Sequence, residues 1–196
     1  MRKLITLIMM LFLATVCFSS VSNADGKVVY DFEIDEQGFE LPDWTLEQDD
    51  MVCDSLEVNG DYVSEGEKSL KYNVAFPGGI WTAAFAECME DFDWTPYSQI
   101  SVDVYIPSDA PEGMKAEIVL TVGDNWEWKE FRKKQSLWPG KWTTLKADLK
   151  PGSVDWKRTE VTDEFRADVR KVGVRIISNK KPKYSGPIYI DNIRVD

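Results

Sequence analysis

The sequence predicts an all-β fold, an antiparallel sandwich or barrel, on three observations. Apolar residues come in short runs rich in β-branched and aromatic side chains, broken by Gly, Pro, Asn and Asp. Alternation is clean in 99-QISVDVYI-106, where Ile100, Val102, Val104 and Ile106 share one face, because successive strand side chains point to opposite sides. No long segment carries the 3.6-residue period of a helix.

In chain order the expected strands are 27-KVVYDFE-33, 51-MVCDSLEV-58, 68-KSLKYNVAF-76, 80-IWTAAFAE-87 and 99–106. They continue at 115-KAEIVLTV-122, 126-WEWKEF-131, 141-KWTTLKAD-148, 171-KVGVRIIS-178 and 187-PIYIDNIRV-195. Pro77-Gly78-Gly79, Pro139-Gly140 and Ser185-Gly186-Pro187 punctuate them as turns. One short helix fits 160–170, with Thr162 as its N-cap. No internal repeat, linker or low-complexity segment interrupts the pattern, so residues 25–196 read as a single domain.

Residues 1–24 read differently. Arg2 and Lys3 precede an apolar run to Phe18, and Ser22 and Ala24 follow at the small-x-small spacing of a secretory signal peptide cleaved after Ala24. The apolar run is shorter than the ~20 residues a spanning helix needs. The expected product is a secreted or periplasmic monomer, off the membrane once the signal is cut.

Charge narrows the partners. The chain has 23 Lys and Arg against 34 Asp and Glu, a net charge of −11. Losing Arg2 and Lys3 brings it to −13 (21 − 34). Nucleic acid is excluded as a partner, since phosphate binding needs clustered Lys and Arg. Cys53 and Cys88 lie beyond the signal, and the residues leave both a disulfide and a pair of buried thiols open. The histidine count is zero, which removes Ser-His-Asp and Cys-His catalysis and His-ligated zinc. The remaining catalytic option is a glycosidase-type carboxylate pair. Glu87 and Glu130 are the conceivable acids, although no local catalytic signature surrounds them.

All eight tryptophans lie beyond the signal. Trp142, opening an alternating strand after Pro139-Gly140, and Trp94, closing a turn, fit structural roles. Trp81 shares a face with Ala83, Phe85 and Glu87, and in a strand over 126–131 Trp126 and Trp128 share theirs with Glu130. A buried, unpaired carboxylate is costly, so both faces are expected to stay partly in water. Aromatic rings beside Glu, Asn and Lys suit a sugar: the ring stacks on the C–H face of a pyranose while polar groups bond its hydroxyls.

The C-terminal 184-YSGPIYIDNIRV-195, preceded by 169-VRKVGVRII-177, resembles the closing strands of the family 27 carbohydrate-binding modules attached to bacterial β-mannanases. 71-KYNVAFPGGIWTAAFAE-87 is similar to that family's strand–turn–strand with a binding tryptophan, and 100-ISVDVYIPSDAPEGMKAEIVLTVGDNWEWK-129 to its central strands. The likeness runs over residues 28–195. It implies a galactose-binding-like β-jelly roll that binds polysaccharide, β-mannan or glucomannan first, without cleaving it. It further implies a coplanar row of exposed tryptophans: Trp44, Trp81, and Trp126 or Trp128. Glu87, Asn125, Glu127 and Lys129 are the polar candidates by proximity. The resemblance also implies a structural Ca2+, for which Asp31 and Glu33 of the first strand and Asp191 of the last are the ligand candidates. Two alternatives stand beside this reading: a small jelly-roll glycoside hydrolase, and a surface interaction domain with no glycan ligand.

Overall fold

The computed structural model describes residues 26–180 and 183–196; the expected signal peptide lies outside the described residues. The elements run β1 (Lys27–Tyr30), α1 (Asp43–Leu46), β2 (Cys53–Asn59), β3 (Ser69–Pro77), β4 (Ala83–Phe92), β5 (Gln99–Ile106) and β6 (Lys115–Val122). β7 (Glu127–Glu130), β8 (Gln135–Ser136), β9 (Lys141–Asp148), α2 (Asp163–Ala167), β10 (Val169–Ile177) and β11 (Lys183–Val195) follow. One sheet has the order β2-β3-β11-β5-β9, with β1 also on β11. The other has β4-β10-β6-β7, with β8 also on β6. Every pairing is antiparallel, which makes the fold the expected β-sandwich.

Alternation sorts each strand into an inner and an outer set. Tyr72, Val74 and Phe76 of β3, Ile100, Val102, Val104 and Ile106 of β5, and Ile188 and Ile190 of β11 face inward from the six-stranded sheet. They meet Ala84 and Ala86 of β4, Ile118 and Leu120 of β6, and Val172, Val174 and Ile176 of β10. Burying a side chain of this size contributes ~1.5–3 kcal/mol, so this layer supplies most of the driving force. Trp94 and Trp156 are buried with it. Trp142 is not a core residue: it lies half-buried on the outer face of β9, 5.3 Å from the Tyr105 ring.

Three departures from the expected elements have local causes. β1 stops at Tyr30 because Phe32 takes φ +54° and the Gln37 side chain accepts the Asp31 and Phe32 N–H groups, at 3.0 and 2.8 Å. That turn takes Asp31 and Glu33 out of strand alternation. β7 begins at Glu127, because Trp126 closes the turn 123–126 with φ +54° and donates its N–H to the Gly123 carbonyl at 3.0 Å. The helix is shorter than expected, but Thr162 caps it, its Oγ1 accepting Phe165 N–H at 3.1 Å. Cys53 and Cys88 are both free thiols, on strands of different sheets. Burial pushes the Cys53 thiol up to about 12.

Candidate functional site

The outer face of the five-stranded sheet carries most of the residues singled out in the sequence. Register sets their rows: Phe85 (β4), Arg175 (β10) and Glu117 (β6) lie side by side. Glu87, Gly173, Val119 and Glu130 form the next row, and Lys171, Thr121 and Trp128 the one after. Phe85 is 1% exposed yet sits outside the core, so it is covered from the solvent side. Gly173 makes room for it: a Cβ there would meet two atoms of the Phe85 ring at 2.5 Å. Trp44 covers Phe85 at 5.6 Å between ring centroids and Trp128 at 5.2 Å. Trp44 and Trp128 then meet edge to face, 5.9 Å apart at 81°. Such contacts contribute ~0.5–1.5 kcal/mol each beyond area burial.

These two rings are therefore not the coplanar row that was expected. They form a corner. Trp128 keeps 38% of its surface in solvent, and Trp44 is half-buried. The Pro42 carbonyl accepts from Thr45 N–H and Oγ1 at 2.8 and 2.7 Å, which closes the single turn of α1 that presents Trp44. Backbone bonds between Glu40 and Glu87 fix the preceding segment to the edge of β4.

A charge network holds Trp128 from the other side. Its Nε1 donates to Glu130 Oε1 at 3.1 Å, and the Arg175 guanidinium forms an ion pair with the same oxygen at 2.7 Å. Arg175 also donates through Nε to Glu117 at 2.7 Å, with its guanidinium 5.9 Å from the Trp128 ring. Lys157 pairs with Glu130, and Lys134 reaches Glu117 at 3.4 Å. Glu117 is fully buried and its Oε2 has no hydrogen-bond partner. Two acids face three bases here, so the network next to Trp128 is ion-paired and polar with a formal net charge of +1 (3 − 2).

The other sequence candidates take different places. Trp81 is half-buried just before β4, at one end of this face. Trp126 does not share a strand face with Trp128 and Glu130; its left-handed turn position sets it at the opposite end, 49% exposed. Arg170 lies over the Trp126 ring at 5.1 Å and is held by Asp168 and Asp124. Those carboxylates, Asp168 first, push the Arg170 guanidinium further up from its ordinary value. Asn125 is exposed in the same turn. Lys129 and Glu127 alternate with Trp128, point to the other side of β7, and pair with each other. Glu87 lies on the aromatic face but is 4% exposed, bound by the Lys171 ammonium.

Glu87 and Glu130 lie in one row three strands apart, ~14 Å at ~4.8 Å per strand. Glycosidase pairs stand ~5–9.5 Å apart. That spacing is between backbones; each carboxylate is held by its own cation, Glu87 by Lys171 and Glu130 by Arg175 and Lys157.

Asp31, Glu33 and Asp191 line one cavity of about 190 Å³, together with Val28, Glu65, Gly66 and Asn192. Their oxygens are engaged by N–H donors, and among the described residues no three carboxylates converge as metal ligands. That arrangement does not fit a calcium ion, which takes six to eight oxygen ligands.

Phe85, Arg175 and Glu117 were not among the sequence candidates. The signal for the pair was present: Glu117 and Arg175, of opposite sign, each interrupt an otherwise apolar stretch, 116-AEIVLTV-122 and 172-VGVRII-177, and such charges are almost never buried unless paired.

Sandwiches of this kind are found among carbohydrate-binding modules. A module of Caldicellulosiruptor saccharolyticus, titled as CBM27-1 in complex with mannohexaose, superposes with a TM-score of 0.60 at 20% identity, covering 87% of this chain and 96% of that one. A family 28 module described as specific for non-crystalline cellulose gives 0.60 at 16% identity, covering 85% and 92%. A family 11 module of a Clostridium thermocellum cellulosomal cellulase gives 0.53 at 12% identity, covering 87% and 94%. At these identities the likeness establishes the fold. No curated protein matches the sequence. The family model for the mannanase galactose-binding domain-like family matches residues 30–192, and the chain belongs to that family.

Proposed function

We propose that this protein is an exported, non-catalytic module that binds a plant-type polysaccharide, β-mannan or glucomannan first, on the outer face of the five-stranded sheet. The observation that carries the reading is the corner of Trp44 and Trp128 over Phe85, open to solvent and braced by an ion-paired polar network. Two aromatic walls at a steep angle can hold one pyranose from two sides, while Arg175, Glu130 and Lys157 offer hydrogen bonds to its hydroxyls. Trp81 and Trp126 extend the aromatic surface toward either end, so the bound segment spans several sugars. Family membership and the mannohexaose complex of a similar module support mannan as the first ligand to try. The ~14 Å backbone separation of Glu87 and Glu130 supports binding without cleavage.

Affinity electrophoresis through gels containing galactomannan, glucomannan, xylan or mixed-linkage β-glucan tests this directly. Retardation in the mannan gels, lost in Trp128→Ala, is the expected result. Free migration in all four would overturn it.

A further inference from the structure

The loop 60–68 folds over the outer face of the six-stranded sheet, and two carboxylates fasten it. Asp191 Oδ2 accepts the N–H groups of Ser64 and Glu65 at 2.8 and 3.1 Å. Glu33 Oε1 accepts those of Glu67 and Lys68 at 2.9 and 3.3 Å. Gly66, between the two clasps at φ +81°, lets the loop come this close: a Cβ there would lie 1.9 Å from Glu33 Oε1. The Lys68 ammonium then turns back to donate to the Glu33 carbonyl at 2.9 Å, so residues 33 and 68 are joined through side chain and backbone in both directions.

This chemistry is the reverse of a calcium site. A hard cation is held by oxygens, and a loop that serves it turns its carbonyls inward. Here the loop turns four N–H groups inward, and their positive ends occupy the carboxylate oxygens that a cation would need. The Lys68 ammonium occupies the Glu33 carbonyl, an oxygen of the kind a hard cation would use. Asn192 Oδ1 is buried there without a hydrogen-bond partner, and among the described residues no three carboxylates converge as a calcium site would require.

We infer that Lys68 is a tethered cation that closes this clasp, and that the protein holds its first strand, its loop 60–68 and its last strand together without calcium. The claim concerns the face opposite the aromatic corner and does not depend on what that corner binds.

Thermal unfolding of the purified protein in 5 mM calcium chloride and in 5 mM EDTA gives the test. The melting temperature is expected to agree within about 1 °C between the two, and calorimetric titration with calcium alone to show no binding. Lys68→Met should lower the melting temperature by roughly 4–8 °C in both conditions, an effect of about the size expected for ~1–2 kcal/mol in a domain of this length. Glu33→Gln keeps the accepting Oε1 and removes only the charge, so it should change the melting temperature little and leave it unresponsive to calcium. The inference is overturned by a rise of several degrees in calcium that Glu33→Gln abolishes. It is equally overturned by Lys68→Met melting like the parent.

Discussion

The outer faces of the two sheets carry similar aromatic content and put it to different ends. On the six-stranded sheet Tyr62 stacks on Tyr105 at 4.4 Å and leans on Tyr189 at 5.1 Å, so the loop 60–68 buries those two rings while Tyr62 itself stays 39% exposed. Asp103 and Asp191 beneath it are buried, and their oxygens are filled by Ser64, Glu65, Thr144 and Asn192. On the five-stranded sheet Trp44 and Trp128 cover Phe85 and nothing among the described residues covers them in turn. Acids there are matched by Arg175, Lys171 and Lys157 rather than by backbone N–H groups. Aromatic count alone does not mark a binding surface. What distinguishes the two faces is whether the chain spends its own loop on the rings.

The largest effect expected from breaking this contrast is on binding. Trp128→Ala should weaken mannan binding at least ~30-fold, the scale of a hot-spot aromatic, in a variant that still unfolds cooperatively although the lost packing on Phe85 and Trp44 lowers its melting temperature. Tyr62→Ala on the opposite face should also lower the melting temperature but leave affinity within about twofold. Equal losses of affinity in both variants would erase the distinction.

Next in size is the brace behind Trp128. Glu117→Ala leaves Arg175 buried without its partner and should cost ~3–5 kcal/mol of stability, read from urea unfolding. Gly173→Ala tests the seat of Phe85: the added methyl must displace the ring, so a loss of ~1–3 kcal/mol and weaker binding together are expected. A variant with unchanged stability would mean that Phe85 is not seated as described.

The smallest effect is a pH dependence on the face that loop 60–68 covers. Burial pushes the Asp191 carboxyl up to about 6, only partly offset by the N–H groups of Ser64, Glu65 and Asn192, while Asp103 pushes it the same way. Its folded value thus lies above the ordinary 3.8, and the folded state keeps a proton that the unfolded chain has released. The stability it adds is fully present below pH ~4 and is lost as pH rises through 6. Melting temperatures between pH 5 and 7 should fall more steeply in the parent than in Asp191→Asn. Identical slopes would place the titration elsewhere.

The sandwich was legible because strand alternation is a local property: 99–106 reads the same in sequence and in β5. The position of Trp128 beside Glu130 was legible for the same reason. Trp126 was not, because a single left-handed residue at a hairpin turn breaks the alternation that the residues on either side still display. The corner between Trp44 and Trp128 depends on a one-turn helix docking across the sheet, and ring orientation between distant segments leaves no periodic trace. Asp31, Glu33 and Asp191 do gather at one cavity, as their strands suggested, but whether a loop offers carbonyls or N–H groups depends on its peptide orientations. Composition does not encode those.

The most direct measurement of the central claim is a calorimetric titration of mannohexaose into the parent protein and into Trp128→Ala, with melting temperatures recorded for both. Saturable binding by the parent, lost in a variant that still melts in one cooperative transition well above the titration temperature, is the predicted result. Binding that survives intact in Trp128→Ala would contradict the assignment of the ligand to this face.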